Sequence, residues 1–214
     1  MLVEERMTSP AITIGPDVGV QEALAMMHRE KVRRFPVIDR HGNLIGIISE
    51  KDLLNAAPSD ATTLSIWEIN YLLSKLTIEK VMTKDVITIT RDTPIEEAAR
   101  IMADNKVGGL PVVEGNKVVG IVTETNLFHI FLELFGARAK GIRLSVLVPD
   151  EPGALWRLTG AIQAIKGNII ALGTFLGENT GNGMVTLKVD GVEMEALKTA
   201  VAPVVVKILD VRQT

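Results

Sequence analysis

The sequence predicts an α+β fold in two parts: a duplicated β-α-β-β-α unit whose copies pack as one module, then a single β-α-β-β-α-β segment. Three observations predict it. The chain repeats itself at a displacement of 75 residues, with Met7-Thr8 falling on Met82-Thr83 and Pro36-Val37 on Pro111-Val112. Each copy sets a Pro-Val strand against a second strand across a tight polar turn. Past Gly136 the repeat stops and strands and helices alternate without a partner copy.

Composition bounds the rest. At 214 residues the chain is long enough for two or three domains, and 47% apolar residues with 4% aromatic ones mean cores of Val, Ile, Leu, Ala and Met. There is no cysteine, so disulfides, thiolate metal sites and thiol nucleophiles are excluded. His28, His41 and His129 are scattered without zinc-ligand spacing, and no metal is expected. A net charge of −3 supplies no field for nucleic acid or an anionic membrane. The opening Met1-Leu2-Val3-Glu4-Glu5 lacks the basic and apolar regions of a signal peptide. No apolar run approaches the ~18 residues of a spanning helix. The expectation is a soluble, cytoplasmic protein.

Each copy reads locally. Ile12-Thr13-Ile14 and Ile87-Thr88-Ile89 are β-branched runs that predict short strands. Val20, Ala23, Leu24 and Met27 recur at helical spacing, as do Ile95, Ala98, Ala99 and Met102. The second of these helices has Thr93 as a predicted N-cap, Pro94 at its first position and Glu96 to close a capping box. Next come Phe35 to Asp39, the turn Arg40-His41-Gly42-Asn43, and Leu44 to Ile48. The second copy turns through Glu114-Gly115-Asn116, one residue shorter, so the displacement drops to 74 at Gly46 and Gly120. Helices follow from Ser49 and from Thr123. One copy alone is too small to bury its apolar face.

The unit order, the paired Pro-Val strands and Gly-x-x-Ser/Thr-x-x-Asp resemble a tandem CBS domain pair over roughly residues 1 to 138. The first unit is drawn over 1–57 and the second over 78–138. Between them, at 58–77, a linker helix is expected from Leu64-Ser65-Ile66-Trp67-Glu68-Ile69-Asn70-Tyr71, with Trp67 and Tyr71 on one face.

In the third segment Ile142 to Val148 reads as a strand and Pro149 to Gly153 as a turn. Ala154 to Lys166 reads as a helix ended by Gly167 at C′, and Asn168 to Phe175 as a second strand. A Gly/Asn hairpin loop over 177–183, a strand from Met184 to Val189, a helix over 192–201 and a strand over 204–211 complete the ferredoxin-like order. Asp150-x-Pro152-Gly153-x-Leu155 and Gly167-Asn168-Ile169 make residues 141–214 similar to an ACT domain. Two CBS units followed by an ACT domain resemble the acetoin-utilisation AcuB-like proteins.

No nucleophile–base–orienter set is visible, and the 177–183 loop is not a phosphate-binding loop because it joins two strands instead of opening a helix. Met26, Met27, Met82 and Met102 read as core fillers. Ser49 and Asp52 carry two readings. One is a capping box, worth on the order of 1 kcal/mol without any ligand. The other, implied by the CBS resemblance, is that Asp52 accepts the ribose hydroxyls of an adenosine ligand while Ser49 faces ribose or phosphate. In the second copy Thr123 keeps the hydroxyl but Asn126 replaces the carboxylate, which weakens any equivalent bond. Arg33 and Arg34 precede the first Pro-Val, where Gly108 and Gly109 precede the second. The arginines suit phosphate, and the alternative is a solvated basic surface at a helix C-terminus. By the same resemblance Thr13 and Thr88 are base-edge candidates, and Pro36 and Pro111 belong to the site strands. Asp150, Gly153 and Asn168 match places where ACT relatives bind an amino acid, against ordinary turn chemistry.

The resemblance therefore implies a non-catalytic regulatory protein. It would sense AMP, ADP, ATP or S-adenosylmethionine, require no other cofactor, and form at least a homodimer. The ACT part would sense an amino acid or mediate assembly, the regulated partner would be an enzyme, and the setting would be acetoin or acetate metabolism. The rival class is a structural or partner-docking protein with a vestigial site. Unequal sites are expected, the first copy binding more tightly.

Overall fold

The structure is a computed structural model that describes residues 1–56 and 76–214. The linker helix expected around Trp67 and Tyr71 lies outside the described residues. Two compact units divide the chain, Met1–Leu127 and Phe128–Thr214.

In the first unit, copy one contains α1 (Val20–Glu30), β1 (Arg34–Ile38), β2 (Leu44–Ser49) and α2 (Glu50–Asn55). A short α3 (Ile78–Val81) leads to copy two: α4 (Ile95–Asn105), β3 (Gly109–Glu114), β4 (Lys117–Thr123) and α5 (Glu124–Leu134). β1 and β2 pair antiparallel, as do β3 and β4, with Pro36 opposite Ile47 and Pro111 opposite Ile121. Asp39 organises the first turn by accepting from the backbone N–H groups of His41 and Asn43, both at 2.8 Å. Gly42 takes φ +77°, which a side chain would strain.

The runs around Thr13 and Thr88 do not form strands. Ile14 and Ile89 each make a single parallel bridge, to Val37 and Val112. The reason lies in the partner: proline has no N–H, so Pro36 and Pro111 offer only carbonyls, which accept from Ile14 and Ile89 at 3.1 Å. α4 is capped at Pro94, one residue after the predicted Thr93. Thr93 Oγ1 is taken by the N–H of Thr90 at 3.2 Å, so no side-chain cap or Glu96 capping box forms.

The copies exchange their leading segments. Residues 76–83 dock on copy one, where Ile78 N–H donates to Val18 O and Thr83 exchanges two hydrogen bonds with Ile47. Residues 1–8 dock on copy two, where Val3 N–H donates to Thr93 O and Thr8 exchanges two bonds with Ile121. Gly46 and Gly120 permit this approach: a Cβ at Gly46 would lie 2.4 Å from Met82 Sδ, and one at Gly120 2.5 Å from Met7 Sδ. Copy one's core of Phe35, Val37, Ile48, Leu53 and Met27 is closed by Ile78 from beyond the linker. Each such fully buried side chain contributes roughly 1.5–3 kcal/mol, so copy one lacks a complete core without the segment after the linker.

The second unit carries β5 (Ile142–Pro149), α6 (Ala154–Ala164), β6 (Asn168–Leu176), β7 (Asn182–Asp190), α7 (Met194–Val201) and β8 (Lys207–Gln213). The sheet order is β6-β7-β5-β8, all antiparallel, which is the ferredoxin-like arrangement. α6 stops at Ala164, and Lys166, not Gly167, takes the left-handed conformation at φ +63°. Gly167 is needed for space instead, since a Cβ there would sit 2.8 Å from Ile162 Cγ2.

Leu144, Val146, Val185, Leu187, Leu158 and Leu197 form the core beneath the two helices. On the opposite face Ser145 and Thr186 hydroxyls bond at 2.8 Å, and the buried Lys188 ammonium donates to the carbonyls of Gly136 and Ala139 at 2.9 and 2.7 Å. Phe135 stacks on Phe175 with centroids 5.6 Å apart. Gly173 leaves room for that ring, because a Cβ there would meet Phe135 at 2.6 Å.

Candidate functional site

The first unit holds a cleft of about 540 Å³ walled by both copies, within the ~300–1,000 Å³ typical of small-molecule sites. Copy one contributes Arg33, Arg34, Ser49 and Asp52; copy two contributes Lys106, Gly108, Gly109 and Glu124, and the segment entering copy two adds Thr83, Asp85 and Ile87.

Ser49 caps α2, and the predicted capping box is present. Asp52 Oδ2 accepts from Ser49 N–H at 2.9 Å and from Ser49 Oγ at 2.6 Å, and Asp52 N–H donates to Ser49 Oγ at 3.3 Å. All of this uses one carboxylate oxygen. Asp52 Oδ1 accepts no hydrogen bond from the described residues, and the residue lines the cleft. Capping and ligand binding are therefore compatible at one side chain.

Arg34 crosses to the other copy. Its guanidinium lies over Gly108 and Gly109, where a Cβ would come within 2.6 Å of Nη2 and 2.4 Å of Nη1 respectively. Burial pulls its pKa below the ordinary arginine value and Arg33 adds to that, while Glu124 and Asp52 oppose it. Among the described residues it makes no hydrogen bond. A half-buried guanidinium that makes no hydrogen bond and faces a cleft has donors suited to a planar or tetrahedral anion. Position-by-position comparison reads Gly108 and Gly109 as a loss from copy two; in space they are the seat for copy one's arginine.

The equivalent constellation in copy two is closed on itself. Asn126 Oδ1 accepts from Thr123 N–H at 2.9 Å and Thr123 Oγ1 at 2.7 Å, and its amide donates to Arg6 O at 3.0 Å. Asn126 thus straps the leading segment to copy two, which a carboxylate lacks the donor to do. Thr123, Asn126, Thr13, Thr88, Pro36 and Pro111 are not in the walls of the first cleft. Ile87, next to Thr88, is, and the two prolines are buried. Lys106, Glu124, Thr83 and Asp85 were missed by the sequence reading, since each is ordinary in its own repeat.

In the second unit an open cleft lies at the N-terminus of α6. Asp150 and Gly153 line it, Gly153 capping the helix at φ +88°, whereas Asn168 is outside its walls. Trp156, 78% exposed, stands at its rim. Among the described residues no cluster of three His, Cys, Asp or Glu is arranged for a metal, and no helix is long and apolar enough to cross a membrane.

The CBS domain profile matches residues 3–59 and 78–133. The chain belongs to the CBS-domain family. Residues 140–212 match the TTHA0829-like ACT domain, so the duplicated unit is a tandem CBS pair and the ferredoxin-like unit an ACT domain. Over 131 residues the chain is 31% identical to the L-aspartate semialdehyde sulfurtransferase of Methanocaldococcus jannaschii, covering 61% of this chain but 23% of that enzyme. The CBS pair of protein MJ0100, solved with 5′-methylthioadenosine and S-adenosyl-L-methionine, is 30% identical with a TM-score of 0.53, covering 65% of this chain and 98% of that one. CBSX2 of Arabidopsis thaliana, solved with AMP, is 31% identical with a TM-score of 0.50, covering 61% and 96%. A Vibrio cholerae protein described as an acetoin utilization protein (AcuB) is 29% identical with a TM-score of 0.53, covering 63% and 92%.

Proposed function

We propose that this chain is a non-catalytic regulatory protein whose CBS pair senses an adenosine-containing ligand in the first cleft. The observation that carries the reading is the presence, in one inter-copy cleft, of a free Asp52 carboxylate oxygen and an Arg34 guanidinium that makes no hydrogen bond. The carboxylate suits two vicinal hydroxyls and the arginine a phosphate, which together describe a nucleotide. The ligands solved in the CBS pairs of MJ0100 and CBSX2 support this class and span AMP and S-adenosylmethionine.

In this reading Ser49 and Asp52 hold ribose, Arg33 and Arg34 hold phosphate, and Thr123 and Asn126 form a weaker second site. Thr13, Thr88, Pro36 and Pro111 shape the two base pockets. The ACT domain senses an amino acid through Asp150, Gly153 and Asn168 or mediates assembly into a homodimer or larger oligomer. Ligand binding regulates a partner enzyme by favouring one of two arrangements, which requires unequal affinity for them. Likeness to AcuB supports a role in acetoin metabolism.

Isothermal titration of the full chain with AMP, ADP, ATP and S-adenosylmethionine tests the reading. Binding that is lost in Asp52→Ala is expected; heat from none of the four would overturn it. One observation favours the rival reading of a partner-docking protein with a vestigial site: Asn126 is consumed by internal bonds. That reading predicts no adenosyl binding and capture of the partner unaffected by Asp52→Ala.

A further inference from the structure

Glu124 enters the first cleft from the opposite copy and has no role in the ribose and phosphate contacts proposed above. Its equivalent in copy one, Glu50, is engaged by His28 Nε2 at 3.1 Å. Copy two carries Ala103 where copy one carries His28, so Glu124 has no such partner on its own repeat. It faces Arg34 instead. Arg34 Nη2 and Glu124 Oε2 converge on Gly108, where a Cβ would meet them at 2.6 and 2.8 Å. No hydrogen bond joins them among the described residues, so they are opposed charges close together without direct pairing. Glu124 is also the strongest influence favouring the charged form of Arg34.

We propose that Glu124 is the specificity-determining residue of the first cleft: as the counter-ion of Arg34 it competes with a ligand's phosphate and so sets which ligand charge the cleft accepts. The inference rests on the adenosyl reading of that cleft. Glu124 offsets part of the charge on Arg34, so a phosphate gains from the arginine but is repelled by the carboxylate. A neutral nucleoside feels neither strongly, and a sulfonium is helped by Glu124. Asp52, on the ribose side, bears on all three alike. Gly108 belongs to the same device, because a Cβ there would collide with both groups and displace one from the other.

The test is calorimetric titration of the full chain with AMP, adenosine and S-adenosylmethionine, in the native protein, Glu124→Gln, Arg34→Gln and the double variant. Glu124→Gln keeps the side-chain shape and removes the charge. It is expected to raise the AMP-to-adenosine affinity ratio about tenfold and to lower the ratio for S-adenosylmethionine. In the Arg34→Gln background the gain for AMP over adenosine is expected to shrink to a small residue of lost repulsion. Unchanged affinity ratios among the three ligands in Glu124→Gln overturn this inference while leaving the adenosyl reading intact. So does a gain for AMP equal in both backgrounds. Absence of binding by all three in the native protein overturns the adenosyl reading and this inference with it.

Discussion

Gly109→Ala separates the seat of Arg34 from the stability of the strand that provides it. Gly109 has an ordinary negative-φ backbone in β3, so alanine is conformationally allowed there. The added methyl would lie 2.4 Å from Arg34 Nη1, 2.9 Å from Arg34 Cδ and 3.1 Å from Val122 O. Ordinary contacts need roughly 3.5 Å, so the guanidinium must retreat by about 1 Å while the backbone oxygen yields a few tenths. Arginine is long and moves easily, and replacing glycine restricts the unfolded chain by about 0.4–1 kcal/mol in favour of folding. The net stability change is therefore near zero. A displaced guanidinium, however, forfeits a charged hydrogen bond worth roughly 1.5–3 kcal/mol, about a 10- to 150-fold loss for a phosphorylated ligand. Calorimetry with AMP and adenosine, beside thermal unfolding, reads both quantities. Unchanged AMP affinity, an equal loss for both ligands, or a Tm drop beyond about 5 °C would refute the reasoning.

Two further outcomes follow from the same structure. Lys188→Met removes the donor to two carbonyls at 2.9 and 2.7 Å in a buried setting. Orphaned carbonyls cost roughly 1–3 kcal/mol each, partly offset by no longer burying a charge. The net expectation is a Tm lowered by several degrees with faster tryptic cleavage at Arg138 and Lys140; a neutral or stabilised variant would mean that desolvation dominates. Asp39 accepts hydrogen bonds from Asn43 and His41, which hold its pKa below the ordinary value. A depressed folded pKa means its stabilisation is present above the unfolded value of about 3.9 and lost as pH falls through the folded one. A carbon-13 carboxyl titration should place the Asp39 midpoint below that of a model aspartate, and a midpoint at or above it would remove the argument.

Local chemistry was legible and cross-copy geometry was not. The hairpins could be read because β-branched runs flank turns with Gly42 and Gly115, and the Ser49–Asp52 box because its spacing has one helical meaning. The role of Gly108 and Gly109 could not, since aligning the copies sets them against Arg33 and Arg34 as substitutes. Folding sets them against Arg34 as its contact surface. Asn126 likewise reads as a weakened Asp52, while its amide bond to Arg6 depends on the exchanged leading segment. Thr93 failed as a cap because Thr90 N–H claims its hydroxyl. Lys188 carries no sequence signal, because lysines are ordinarily exposed; only the carbonyls after α5 explain its burial.

The central claim is that ligand chemistry resides in copy one, at the free oxygen of Asp52. Titration with AMP of Asp52→Asn and Asn126→Asp, side by side with the native chain, tests it most directly. Asp52→Asn keeps an oxygen for the Ser49 cap but replaces the ribose-facing oxygen with an amide NH2, so both the charge and that acceptor are lost, a loss of about tenfold or more per ribose bond. The account predicts that this variant loses the tighter site, and that Asn126→Asp leaves that site unchanged. Retention of the tighter site in Asp52→Asn, or two equal sites in the native chain, would contradict it.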